Sequence, residues 1–233
     1  MFGIKKNIPE LAEFFDMADL YHTRTKDTFI EKFGHTIDNI KIIKNGISSE
    51  EINRALKVLS CHPVLLDRDH CYSTFDIPNF GPCEDHDDFA EYMKPKLIRI
   101  AEAEYNEELL PDKPLLYMTH PTGSSIGPHT DILTIDYENN DPEKDEGPSK
   151  EYQAQNIENM WSGHLAILAY LNDDYDGGYL YFPEFDYYLK PSAGDIVMFP
   201  GSLYYVHGVS PVTSGVRYTL SQWAKFAFYK NNV

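Results

Sequence analysis

Between Gly127 and Ile132 the chain reads Gly-Pro-His-Thr-Asp-Ile, which sets the imidazole of His129 two residues before the carboxylate of Asp131. On a β-strand, residues i and i+2 point to the same face, so the two side chains are expected side by side. His207, far downstream, offers a second imidazole. Two histidines and one carboxylate hold one face of a ferrous ion and leave the opposite positions open for a cosubstrate and dioxygen. The chemistry this predicts is non-haem iron oxygenation, with His129, Asp131 and His207 as the metal ligands.

An HxD pair alone is a coincidence that any strand can produce. Arg217 strengthens it. In the run 216–228, Arg217, Thr219, Ser221 and Trp223 alternate onto one face. A guanidinium and two hydroxyls on the inner face of a barrel are costly as core, but they suit a small dicarboxylate. Arginine pairs bidentately with a carboxylate, and a hydroxyl adds a donor.

Strands must position these groups, and from residue 114 the texture turns to short β-type runs separated by turns. They fall at 115–120, 128–135, 164–171, 179–182, 186–189, 195–199, 203–207 and 216–228. Asp176-Gly177-Gly178 reads as a hairpin-type turn into the run at 179–182. Strands at this spacing without intervening helices predict an antiparallel barrel or jelly roll. Earlier residues read as helical. Pro9, Leu11, Phe14 and Phe15 suggest a first short helix, and Ser48-Ser49-Glu50-Glu51 has the spacing of a capping box. Phe89, Met93, Leu97 and Ile100 place another helix over 87–105, with Pro95 as a kink. The stretch 67–88 reads as a loop, and the acidic, amide-rich stretch 137–161 as a surface loop. The expected architecture is α+β: a helical region 1–113 supporting a β-barrel of 114–233, as one functional unit.

The 233 residues carry a formal charge of −17, which argues against nucleic acid or an anionic membrane surface as partner. A hydrophobic share of 42% with a mean hydropathy of −0.44 fits a soluble globular chain. No apolar run is long enough for a membrane span, and the first residues lack the apolar core of a signal peptide. Cys61, Cys71 and Cys83 lack a CxxC spacing and read as reduced thiols of a cytoplasmic protein. His62 and His70 beside Cys61 and Cys71 fit no common zinc pattern.

The stretch 114–228 resembles the catalytic core of the iron(II)- and 2-oxoglutarate-dependent oxygenases, in their prolyl 4-hydroxylase-like branch. The residues that carry the likeness are HTD at 129–131, YLND at 170–173, GGYLYFP at 177–183, PxxGD at 191–195 and HGVSPVTSGVRYTLSQW at 207–223. The resemblance implies a double-stranded β-helix of jelly-roll or cupin-like build. It implies Fe(II) on His129, Asp131 and His207, and 2-oxoglutarate held through its distal carboxylate by Arg217, with Tyr170 and Thr219 assisting. It further implies dioxygen as co-reactant, succinate as coproduct and ascorbate as reductant, and a loop at 137–161 that closes over substrate. Two departures stand out. Collagen-type prolyl hydroxylases carry Lys where Arg217 stands, and the branch has a tyrosine where this chain has Thr119 and His120, with Tyr117 nearby. Tyr117, His120 and Trp223 are the candidate substrate-pocket residues.

The activity expected is hydroxylation of a peptidyl residue such as proline. Its alternatives are the same chemistry on a free amino acid or small metabolite, and a non-oxygenase metal-binding barrel of the cupin kind. Arg217 separates the last from the others.

Overall fold

The computed structural model describes residues 28–61, 72–73, 84–111, 115–131, 164–202 and 204–228. Up to residue 111 its elements are α1 (Thr28–Phe33), β1 (Lys41–Ile43), α2 (Ser49–Cys61), β2 (Tyr72–Ser73), α3 (Glu84–Tyr105) and β3 (Leu109–Pro111). There follow β4 (Leu116–Pro121), β5 (Ile126–His129), β6 (His164–Tyr170), β7 (Asp176–Gly177) and β8 (Leu180–Phe182). The last are β9 (Tyr187–Leu189), β10 (Ile196–Pro200), β11 (His207–Val209), β12 (Val212–Ser214) and β13 (Val216–Phe226). The expected first helix and the loop 137–161 lie outside the described residues, as does most of 67–88.

The strands make a seven-stranded sheet in the order β1-β10-β6-β13-β4-β2, with β3 also paired to β13, and a four-stranded sheet β5-β11-β8-β9. A cavity between them is lined from both: His120 and Arg217 come from the large sheet, Ile126 and Val209 from the small one. This is a double-stranded β-helix with helices packed outside it, an α+β fold.

Register decides which side chains meet the cavity. Arg217 stands opposite His120, Thr219 opposite Met118 and Tyr170, and Ser221 opposite Leu168. These positions share the inner face. The other parity, Leu220, Ala224 and Phe226 with Ile167 and Ala169, joins the buried cluster that contains Phe89, Met93, Leu97 and Ala101 of α3. The stripe on α3 follows the helical period read from the sequence, and the helix continues through Pro95. Burying each large apolar side chain of this layer is worth roughly 1.5–3 kcal/mol. The capping box before α2 is present: the Ser48 N–H donates to Glu51 Oε2 at 2.7 Å and the Glu51 N–H to Ser48 Oγ at 3.2 Å. Among the described residues, no helix is long and apolar enough to cross a membrane.

Three expectations need correction. The region before residue 113 is not only helical, because β1, β2 and β3 pair with β10, β4 and β13 of the large sheet. Asp176 and Gly177 are not a hairpin turn but strand β7, paired with β12. Gly177 is left-handed there (φ 70°), and a Cβ would fall 2.1 Å from the Pro211 carbonyl oxygen, so only glycine fits. Within the expected run 203–207, residues 204–206 are not strand, since the Tyr205 N–H turns back to the Ser202 carbonyl at 2.9 Å and pairing starts at His207.

Candidate metal centre

His129 closes β5 and His207 opens β11, and the two are directly opposed in the ladder. Their ring centroids lie 4.4 Å apart at 53°. Asp131 Oδ1 is 3.8 Å from His129 Nε2 and 3.6 Å from His207 Nε2. One ligand atom from each residue falls within 4.8 Å of the others. The pairing of His129 with Asp131 does not come from strand alternation, because β5 has ended before Asp131. A close backbone approach helps to place it instead. A Cβ on Gly201 would sit 3.2 Å from the Asp131 Cβ and 3.1 Å from the His164 Cβ.

Both imidazoles are oriented by the backbone. His129 Nδ1 meets the Gly127 carbonyl at 2.9 Å, and His207 Nδ1 meets the Tyr205 carbonyl at 3.0 Å. A carbonyl only accepts, so each Nδ1 carries a proton, and in the neutral ring this leaves the lone pair on Nε2. Burial pushes His207 down to about 4, with Asp131 pulling it up and His129 pushing it down, so the ring is neutral at pH 7. The carboxylate–imidazole separations are too long for hydrogen bonds. They lie within the ~3–4.2 Å that two ligand atoms span when each is ~2.1 Å from one ion. The donor set, its spacing and the second-sphere carbonyls all fit a divalent metal.

Arg217 lies on the opposite sheet, 1% exposed, on the wall of the same cavity. It donates from Nη2 to the Tyr170 hydroxyl at 2.9 Å, with the guanidinium carbon 4.9 Å from that ring's centroid. A Cβ on Gly178 would fall 3.2 Å from the Arg217 Cδ, so a glycine makes room for the arginine stem. Thr219, Ser221 and Trp223 continue along the same face of β13 and line the cavity. His120, 1% exposed, lines it beside Arg217. Burial, and then the positive charge of Arg217, push His120 down to about 3, so it is a neutral imidazole.

Tyr117 is not a cavity residue. Met118 and His120 take the inward positions of β4, and Tyr117 faces outward onto α3, with its ring 6.3 Å from Phe89. Tyr170 stands behind Arg217 and holds it, and the cavity wall is made by its neighbours. Gly201, which packs against Asp131, is not legible in the sequence, since a packing glycine leaves no mark in residue spacing. The cavity, ≈ 80 Å³, has room for roughly five to eight waters. That suits a small dicarboxylate.

Residues 115–225 match the family model described as the 2OG-Fe(II) oxygenase superfamily, whose name specifies Fe(II) and 2-oxoglutarate. A protein named "Putative prolyl 4-hydroxylase" from Acanthamoeba polyphaga mimivirus is 34% identical over 67 residues, covering 25% of this chain and 28% of that relative's length. The viral collagen prolyl hydroxylase of Paramecium Bursaria Chlorella virus-1, solved as a 2OG complex, superposes with a TM-score of 0.54 at 14% identity. That match covers 81% of this chain and 96% of the other. A prolyl hydroxylase from Trichoplax adhaerens, solved with a hypoxia inducible factor peptide fragment, gives 0.52 at 14% identity over 96% and 94%. Identities this low show a shared fold. Residues 115–225 thus match the 2OG-Fe(II) oxygenase superfamily, and part of the chain is similar to a protein named as a prolyl 4-hydroxylase.

Proposed function

We propose that this chain is an Fe(II)- and 2-oxoglutarate-dependent dioxygenase that hydroxylates a peptidyl residue, proline foremost, and converts 2-oxoglutarate to succinate. The observation that carries the reading is the buried Arg217 on one wall of a cavity whose other wall presents His129, Asp131 and His207. Proline is supported by the likeness to proteins named as prolyl hydroxylases, one of them solved with a peptide.

In this reading His129 Nε2, Asp131 and His207 Nε2 hold the ferrous ion. When bound, the ion with dioxygen and 2-oxoglutarate would supply the oxidising power. The chain's residues bind, orient and exclude water. Arg217, steadied by Tyr170, pairs with the distal carboxylate of 2-oxoglutarate, and Thr219 adds a hydroxyl donor. Neutral His120 offers one ring N–H or lone pair beside the guanidinium without adding charge. Met118, Ile126, Leu168 and Phe199 keep the cavity apolar, and Trp223 is the aromatic wall left for substrate.

The test is anaerobic addition of Fe(II) and then 2-oxoglutarate, read by the visible charge-transfer band of the chelate, with His129→Ala and Arg217→Ala in parallel. A band in the wild type that both variants lose or weaken supports the cosubstrate site. Succinate formation stimulated by proline-containing peptides supports the substrate. Stimulation by a free amino acid and by no peptide would replace the peptidyl reading with a small-metabolite one. Undiminished activity in Arg217→Ala would point to a cupin-type barrel.

A further inference from the structure

The 2OG-Fe(II) oxygenase match begins at residue 115, yet side chains from residues 35–39 reach the peptide that leads into His207. Two successive carbonyls of that peptide are each met by an imidazole. His35 Nε2 lies 3.1 Å from the Tyr204 carbonyl, and His207 Nδ1 lies 3.0 Å from the Tyr205 carbonyl. His35 Nε2 is also 3.3 Å from Glu184 Oε2, and both of those side chains are buried. Two acceptors facing one ring nitrogen require that Nε2 carry a proton.

Tyr205 is fixed at three points. Its N–H donates to the Ser202 carbonyl at 2.9 Å. Its hydroxyl accepts from Asn39 Nδ2 at 2.7 Å and donates to the Thr36 carbonyl at 3.0 Å. Its carbonyl accepts from His207. Asn39 is held in turn, since its carbonyl accepts from the Tyr105 hydroxyl at 2.6 Å and its Nδ2 also donates to the Gly34 carbonyl at 2.8 Å. A side chain and amide fixed in this way leave the Tyr205 carbonyl little freedom, and that carbonyl sets the tautomer and ring plane of His207.

We infer that the segment 35–39 belongs to the metal centre's second sphere: His35 and Tyr205 are positioning residues that hold the His207 imidazole ready for the ion. This rests on the metal reading above and extends it to residues outside the matched family region. Outer-sphere partners of a ligating histidine typically change metal affinity by 10–100-fold when lost. The segment is therefore functional as well as structural.

The experiment is titration of Co(II), as a probe for the ferrous site, into the metal-stripped full-length protein, followed by its visible d–d absorption. Tyr205→Phe removes one atom and breaks the hydroxyl anchor. His35→Phe removes the donor to Tyr204, and His35→Gln restores one. Lys44→Ala is the control, since Lys44 pairs with Asp195 at 2.7 Å and ties the same region to the sheet without touching 204–207. The expected result is a Kd raised about tenfold in Tyr205→Phe and His35→Phe, restored to about wild type in His35→Gln and unchanged in Lys44→Ala. Folded Tyr205→Phe that binds Co(II) like the wild type would overturn the inference, whether or not His35→Phe folds. An equal loss of thermal stability in all four variants with no change in Kd would overturn it too. A wild type that binds no Co(II) would instead remove the metal reading, and this inference with it.

Discussion

Gly208 and Ile126 pack backbone against backbone, so that a Cβ on Gly208 would fall 2.7 Å from the Ile126 carbonyl oxygen. The same Cβ would meet the Tyr181 hydroxyl at 2.5 Å. The tyrosine ring can swing away, but the carbonyl belongs to β5 and cannot move without it. Gly208→Ala is therefore expected to part β5 from β11 and separate His129 from His207. Overpacking of this kind costs about 1–3 kcal/mol. The predicted outcome is a lower Tm together with weaker Co(II) binding, and adding Tyr181→Ala should not restore the metal site. Full restoration by the double variant would show that the side-chain contact alone mattered.

Arg217 is the second point of test. Lysine in its place keeps the positive charge but loses the planar fork and the bond to the Tyr170 hydroxyl. Loss of one charge-assisted hydrogen bond, about 1.5–3 kcal/mol, predicts a KM for 2-oxoglutarate raised roughly 10–150-fold. Binding of Co(II) should stay at the wild-type level, because Arg217 is on the other sheet. Steady-state kinetics and metal titration on the same preparation separate the two effects.

Gly201→Ala tests the approach that helps to place Asp131. The added methyl would lie 3.2 Å from the Asp131 Cβ and 3.1 Å from the His164 Cβ, so both must shift by a few tenths of an ångström. A fold that survives with Co(II) affinity reduced about three- to tenfold is the expected result, less than the ~10–100-fold of an outright lost ligand support because the contact is shifted and not removed. His164→Ala should recover part of the loss by opening one side of the contact. Equal affinity in Gly201→Ala and wild type would mean the carboxylate reaches the site without that support.

The α2–α3 contact predicts a pH dependence of stability. Burial on its own would raise the Glu51 carboxyl. Hydrogen bonds from Lys96, from the Ser48 N–H and from Tyr92 outweigh it and hold the group at about 2, against an ordinary value of 4.5. Its folded pKa is depressed, so the unfolded chain binds more protons between those values. The stabilisation, on the order of 3 kcal/mol, is complete above pH 4.5 and is lost as pH falls towards 2. Urea midpoints at pH 7, 4 and 2.5 should show Glu51→Gln weaker than wild type at pH 7, with the gap closing at the lowest pH. A gap that stays constant would assign the loss to packing.

The residues legible from the sequence were those whose type is costly without a purpose. Arg217 is legible on that ground, and His129, Asp131 and His207 from their types and the two-residue spacing of the first pair, and the fold brings all four to one cavity. The capping box at Ser48 and Glu51 was legible because its two bonds lie within three residues. Tyr117 was misplaced because one residue of strand parity moves a side chain to the other face, and parity is settled by pairing with β13. His35, Thr36 and Asn39 could not be read, since their partners are far off in the chain and include backbone carbonyls, which every residue type carries. Gly201 and Gly208 act through the atom they lack, which no spacing reveals.

The pairing of β1, β2 and β3 with the large sheet has a practical corollary for anyone cutting this gene. An expression product begun at residue 114 would keep every candidate ligand and the whole matched region. It would also strip three partners at once, baring backbone on β10, β4 and the far end of β13. Raw strand edges invite sheet-to-sheet aggregation, and Tyr205 would lose its anchors in the same stroke. The matched half is thus not a portable module, and shuffling it between scaffolds would have to carry the strands of the first half of the chain along.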